Sequence, residues 1–256
     1  DLFLDIYESD TSFAFQGYDN ENHQAFSSTA QLEAIKKILR RMQENPIHIP
    51  RVSSYPTIEF INSVSKRSDI SFAISLVDMM ALYNPDIFET PFNCDFTDYA
   101  DLLFELLRTN KIYLLSNCAA PQETNPEYCE LFQGSDPKMM SYSYLWVLSE
   151  LWKKRRIPLA TCIKMTSENA AKRLGIYPEK GSLDPGSDAD FVLYDPETTT
   201  LITGNKGKTT ELIGGFKAVY LKGNQVAGEN CTTQKQGSFF ARSTNPKRRH
   251  NKTTWI

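Results

Sequence analysis

The spacing of apolar positions changes partway along the chain, and that change predicts its organisation. Leu2 to Tyr7 is apolar and β-prone and reads as a buried strand. From Ser28 to Glu44 the spacing is helical: Ser28 and Thr29 can cap the start, and Leu32, Ile35, Ile38, Leu39 and Met42 fall on one face. Pro46 to Val52 predicts a second strand, Thr57 to Lys66 a helix with Ile58, Phe60, Ile61 and Val64 apolar, and Ile70 to Val77 a third strand. Asp98 to Thr109 is a strongly amphipathic helix, followed by a fourth strand over Lys111 to Ser116. Strands alternating with helices in this way predict parallel βα units.

A helix over Met140 to Lys154 carries Tyr144, Leu145, Leu148, Leu151 and Trp152 on its buried side. Another, Thr166 to Leu174, stops at Gly175. Beyond that glycine the period becomes strand-like. Ser182-Leu183, Phe191 to Tyr194, Thr199 to Thr203, Lys217 to Leu221 and Gln225-Val226 read as short strands between Gly and Pro turns. From Thr232 on the chain is polar and basic, with Arg242, Lys247, Arg248, Arg249 and Lys252 and no acid. It predicts a tail that orders only on a partner. The expected organisation is therefore a βα region over 1–175, a β appendage over 176–231 and a basic tail over 232–256.

Composition narrows the function classes. A chain of 256 residues can bury a substantial core, and its net charge of −3 gives no global argument for nucleic acid or an anionic membrane. Its apolar runs are far shorter than the ~20 residues of a membrane helix. The start has no basic leader and reads as a chain beginning in the middle of something. Five cysteines without a Cys-x-x-Cys pair favour reduced thiols, hence an intracellular, cytoplasmic protein. The run Gly204-Asn205-Lys206-Gly207-Lys208-Thr209 only imitates a phosphate loop: two residues separate its glycines where four are needed, so it reads as a β-turn.

The block Lys180-Gly-Ser-Leu-Asp-Pro-Gly-Ser-Asp-Ala-Asp-Phe-Val-Leu-Tyr-Asp-Pro196 resembles a signature of the amidohydrolase superfamily, in its cyclic-amide branch of dihydropyrimidinases, allantoinases and dihydroorotases. Thr166 to Gly181 is similar to the helix leading into that family's β-sandwich, Gly214 to Val226 to its last strand pair, and Gly237-Ser-Phe-Phe-Ala-Arg242 to the start of its C-terminal tail. The resemblance corresponds to about the C-terminal half of the family. It implies part of a (β/α)8 TIM-type barrel with a small C-terminal β-sandwich.

The resemblance also implies two divalent metals, such as zinc, at the C-terminal mouth of the barrel. They would polarise a cyclic amide and activate water, with an aspartate moving the proton. Carried over by position, a ligand histidine falls on Ile6, another on Arg51, and the catalytic aspartate on Asn117; a substrate-contacting Asn-Gly falls on Gln133-Gly134. Isoleucine has no lone pair, arginine is a permanent cation, and asparagine cannot act as a base. His23, His48 and His250 are scattered without ligand spacing, and the acids Asp95, Asp98 and Asp101 read as helix-start charges.

Two expectations follow. One is a degenerate dihydropyrimidinase-like pseudoenzyme, without cofactor, serving as a structural or scaffold subunit of a homo-oligomer or hetero-assembly. The collapsin response mediator proteins, which resemble dihydropyrimidinases yet lack the ligands, are the precedent. Its basic tail would suit a cytoskeletal or other acidic surface. The other is a metal-dependent cyclic-amide hydrolase whose N-terminal half is missing or comes from another chain. A hydrolase using Cys118 is a distant third. Half a barrel leaves apolar interior and strand edges open, so a partner chain or further sequence is expected to close it.

Overall fold

The computed structural model describes residues 28–41, 47–49, 52, 54–64, 70–88, 100–109, 112, 114–116, 137–204 and 206–228. The predicted strand Leu2–Tyr7 and the basic tail lie outside them. Helix α1, Ser28–Arg41, buries Ile35 of the predicted stripe together with Gln31, while Leu39, partly buried, packs against the core. Strand β1 (Ile47–Ile49) leads to α2 (Tyr55–Val64), which buries Thr57, Ile58 and Ile61. The Ser54 hydroxyl just before α2 donates to Thr57 Oγ1 at 2.6 Å.

Strand β2 is Ile70–Ser75, and helix α3, Leu76–Tyr83, starts at the next residue. The strand expected to run to Val77 therefore ends two residues early, and α3 was not foreseen. Every residue of α3 from Leu76 to Ala81 is buried, so it has no polar face and leaves no helical period in the sequence. Helix α4 (Ala100–Arg108) and strand β3 (Leu114–Ser116) complete the layer. The three strands are parallel in the order β1-β2-β3, with Ile47 beside Ile70 and Ser75 beside Ser116. Among the described residues they form an open sheet in a mixed α/β fold, and no closed barrel is seen.

Helix α5 begins at Pro137, three residues before the expected start, and passes from α (Pro137–Trp146) to π geometry over Val147–Lys154. Helix α6 runs through Leu159–Ile163, a π segment Lys164–Glu168, and Asn169–Leu174. It starts directly after Pro158, a turn or more ahead of the predicted Thr166, because proline fits where helical N–H groups lack partners anyway. It ends as foreseen. Gly175 adopts φ +73°, its N–H donates to Lys172 O at 3.1 Å, and Ile176 N–H reaches back to Ala171 O at 2.9 Å. That pair of bonds needs a left-handed residue at Gly175.

Ser182-Leu183 forms no strand; it lies in a looped stretch before β4. The predicted pieces Phe191–Tyr194 and Thr199–Thr203 are two halves of one strand, β4 (Phe191–Thr203), joined through a register shift between Asp195 and Thr199. It pairs antiparallel with β5 (Thr209–Leu221), which pairs with β6 (Asn224–Gly228). The hairpin closes where Gly204 N–H donates to Lys208 O at 2.9 Å and Gly207 N–H to Gly204 O at 3.0 Å, as the failed phosphate-loop pattern suggested.

One apolar cluster joins both sheets. Ile202 and Leu212 share it with Phe72, Ile74, Met79, Leu107 and Trp146. An aromatic group seals the contact between α5 and the antiparallel sheet: Tyr144 stacks on Phe216 at 5.8 Å, and Trp152 meets Tyr194 at 5.9 Å. Ser149 Oγ on α5 accepts the Ile213 N–H at 2.9 Å. No helix of the described residues is long and apolar enough to cross a membrane.

Candidate functional site

The C-terminal ends of parallel strands collect loop residues at one edge of a sheet, and ligands of such folds gather there. Here that edge follows Ile49, Ser75 and Ser116. The positions singled out by resemblance, Ile6, Arg51, Asn117 and Gln133, all lie outside the described residues, as does Cys118. The framework around two of them is described. Val52, fully buried, donates its N–H to Ala73 O at 2.9 Å and so extends the β1–β2 pairing past Arg51. Ser75, last in β2, is fully buried with its hydroxyl unpartnered, and buried Asp78 follows in the first turn of α3. A carboxylate there is favoured by the helix dipole. Ser75 was missed by sequence reasoning, because a lone serine at a strand end carries no local signal.

Alternation along β2 sends Phe72 and Ile74 into the apolar cluster and Ser71, Ala73 and Ser75 to the opposite face. Ala73 is fully buried yet stands outside that cluster. His48 on β1 lies beside Ser71 in register, with Nδ1 2.9 Å from the Ser71 hydroxyl. Burial, and secondarily the Arg173 cation, push His48 down to about 4. The ring is therefore neutral near pH 7, and it sits about 13 Å of strand length back from Ser75, too far to serve the mouth.

This gives a pH signature. The unfolded chain protonates His48 near pH 6.5 while the folded chain resists until about 4. Stability from this group is thus complete above pH 6.5 and is lost as pH falls toward 4, by at most ~3 kcal/mol. Urea unfolding at pH 7 and pH 5 should show the loss, and His48→Gln should flatten it.

The block that carries the family resemblance does structural work. Lys180 Nζ reaches Asp188 Oδ2 at 2.6 Å and also pairs with Asp190. Asp190 Oδ1 accepts the Lys222 N–H at 2.7 Å, and Ala189 O accepts the Gly223 N–H at 2.9 Å. Burial opposes charge on both Lys180 and Asp190, but Asp188 and Asp190 together move the lysine up, and Lys180 with the Lys222 N–H and charge moves the aspartate down. These contacts fasten the looped stretch after α6 to the β5–β6 turn. Beside them is an open cleft of about 310 Å³ lined by Leu183, Ser187, Asp188, Ala189 and Phe191, whose one acid is already paired to Lys180.

Among the described residues no group of three or more His, Cys, Asp or Glu could hold a metal ion. Cys162 is buried in the apolar cluster, and burial pushes its thiol up to about 12, far from a nucleophile's range.

Comparison with known proteins places these features in a wider group. The model of the Amidohydrolase family matches residues 123–228. Dihydropyrimidinase-related protein 5 of Homo sapiens is 47% identical over 58 residues, 23% of this chain and 10% of that protein. The D-hydantoinase of Geobacillus stearothermophilus is 31% identical over 96 residues, 38% of this chain and 19% of the enzyme. In fold, the dihydropyrimidinase of Brevibacillus agri superposes with a TM-score of 0.65 at 19% identity, covering 90% of this chain and 54% of that structure. This chain thus spans about half the length of that solved protein, and its alignments with the curated relatives cover much smaller shares of theirs.

Proposed function

We propose, from the premise that this chain is a partial-length amidohydrolase relative on the dihydropyrimidinase and hydantoinase branch, that it is a non-hydrolytic member serving as a structural subunit of an oligomer or larger assembly. The three parallel strands are, on this reading, a segment of a (β/α)8 barrel, and β4 to β6 belong to its appended sandwich.

The observation that carries it is the donor set. Where the resemblance places two metal ligands and the proton-shuttling acid, this chain has Ile6, Arg51 and Asn117. A metal pair does not fit there. Isoleucine offers no electron pair, a guanidinium repels a cation, and an amide cannot take up the proton of an attacking water. No hydrolytic step is therefore derived through a metal. The strongest family resemblance is compatible with this, since Lys180, Asp188 and Asp190 hold the fold together and need no reactive partner. The basic residues after Thr232 suit an acidic protein surface, such as a cytoskeletal one.

The alternative is a cyclic-amide hydrolase completed by the half of the fold that this chain does not span, and the 54% coverage of the solved dihydropyrimidinase favours it. Metal content and turnover separate the two. The protein from its own source is expected to carry no stoichiometric divalent metal and to leave dihydrouracil and hydantoin intact after zinc addition. Bound metal together with hydrolysis of either cyclic amide would overturn the structural reading.

A further inference from the structure

The turn that ends α5 is built on a residue ill-suited to it. Trp152 O accepts the Arg156 N–H at 3.2 Å, Leu151 O accepts the Ile157 N–H at 2.9 Å, and Ile157 is fully buried. A helix end of this kind takes a left-handed residue, the place that Gly175 fills at the end of α6. Here the place belongs to Arg156, at φ +62°. A β-carbon is disfavoured in that conformation, so glycine would suit the fold better. Arg156 is exposed, and its side chain makes no hydrogen bond or ion pair among the described residues. A strained side chain that gives the fold no contact points to a role outside the fold.

The same turn gathers cations without matching acids. Lys153, Lys154, Arg155 and Arg156 follow one another, and Arg108 of α4 donates from Nη2 to Arg155 O at 3.2 Å, which brings a fifth cation alongside. Glu150 takes Lys154, and Glu105 lies 3.4 Å from Arg108. Among the described residues no carboxylate pairs with the other three. Lys153 Nζ instead lies 4.6 Å from the Trp152 ring, and the Arg155 guanidinium is held 4.5 and 4.4 Å from the rings of Tyr83 and Phe104. Cations in the last turn of a helix answer its dipole, which accounts for Lys153 and Lys154 but not for Arg156 beyond the end.

We propose that this turn docks a short acidic segment of a partner protein, whose carboxylates meet Lys153, Arg155 and Arg156. Three uncommitted charges match a few neighbouring carboxylates. Nucleic acids and anionic membranes recruit more basic residues than that, and the chain's net charge of −3 repels extended polyanions. The site names a docking surface for the subunit reading and rests on that reading only for the existence of a partner. Metal content and turnover decide that reading, and peptide binding decides this one.

The test is a titration of a fluorescein-labelled hexaglutamate peptide, read by anisotropy. To keep the basic tail out of the readout, the full chain carries glutamine in place of Arg242, Lys247, Arg248, Arg249 and Lys252. The peptide should bind, and more weakly as salt rises. Arg156→Gly should weaken it at least about threefold while the melting temperature holds or rises, because glycine relieves the backbone. Arg156→Lys should keep both affinity and melting temperature. Lys153→Gln combined with Arg156→Gly should weaken binding about tenfold. Absence of binding, or an affinity that neither substitution changes, overturns the proposal. A lower melting temperature for Arg156→Gly overturns it too, since the arginine would then serve the fold. A single-stranded oligonucleotide or a phosphatidylserine vesicle that binds the turn more tightly than the peptide overturns the choice of partner.

Discussion

Gly214→Ala is expected to destabilise the protein by about 3–5 kcal/mol, read as a shift of the urea midpoint. Gly214 adopts φ +90°, where a side chain costs roughly 1–2 kcal/mol. A Cβ there would also lie 2.0 Å from Tyr194 Oη and 2.2 Å from its Cζ, so the ring would have to move. It has nowhere to go. Its hydroxyl donates to Ile213 O at 2.9 Å, and its ring is held by Trp152 at 5.9 Å and Phe216 at 6.2 Å. Displacing it forfeits a hydrogen bond and tight packing, together about 2–3 kcal/mol. The cost should fall to the backbone share alone in a Tyr194→Ala background. A loss that stays the same in that background would mean the clash is not its source.

Trp146→Ala should cost about 3–5 kcal/mol, the range for truncating a large buried aromatic. The side chain is fully buried in the cluster that joins the helices to the antiparallel sheet. Its Nε1 donates to Asn84 Oδ1 at 2.8 Å, capping the region where α3 ends. It also neighbours Tyr83, whose ring and that of Phe104 lie 4.5 and 4.4 Å from the Arg155 guanidinium. Trp146→Phe separates these contributions. It keeps most of the packing and removes the indole N–H, so about 1–2 kcal/mol should remain. If phenylalanine proved as damaging as alanine, the bond to Asn84 would carry more than the packing.

Both predictions concern places where sequence and structure part company. Helices with one buried face were legible: α1 and α2 bury Ile35, Ile58 and Ile61 of their predicted stripes, amphipathic α4 buries Leu103, Leu106 and Leu107, and Gly175 stops α6 where it should. Helix α3 was not legible, because a helix buried all round has no polar side to mark its period. The first turns of α6 were missed because Ala160 and Ile163 belong to an exposed apolar stripe that blurs the amphipathic pattern. The division of β4 into two strands followed the Asp195-Pro196 punctuation, yet the ladder resumes at Thr199 beside Ile213. The candidate site was legible only as residue identities. Ile6, Arg51 and Asn117, outside the described residues, name side chains that cannot hold a metal or take a proton, and Asp78 is expected at that edge, but no spacing could reveal that Ser75 stands there with its hydroxyl unpartnered.

The sequence by itself determined the alternation of β1, α2, β2, α4 and β3, the switch from helical to strand period at Gly175, and the side-chain types at the aligned positions. Each is local, set by a few neighbouring residues and their side-chain types. Only the tertiary structure decided that Lys180 binds Asp188 and Asp190, that the tyrosine at 194 fills the space over Gly214, and that one face of α6 keeps Ile163 and Leu174 in water. Those outcomes depend on which distant segments come together, and burial and contact across a fold leave no period in the chain.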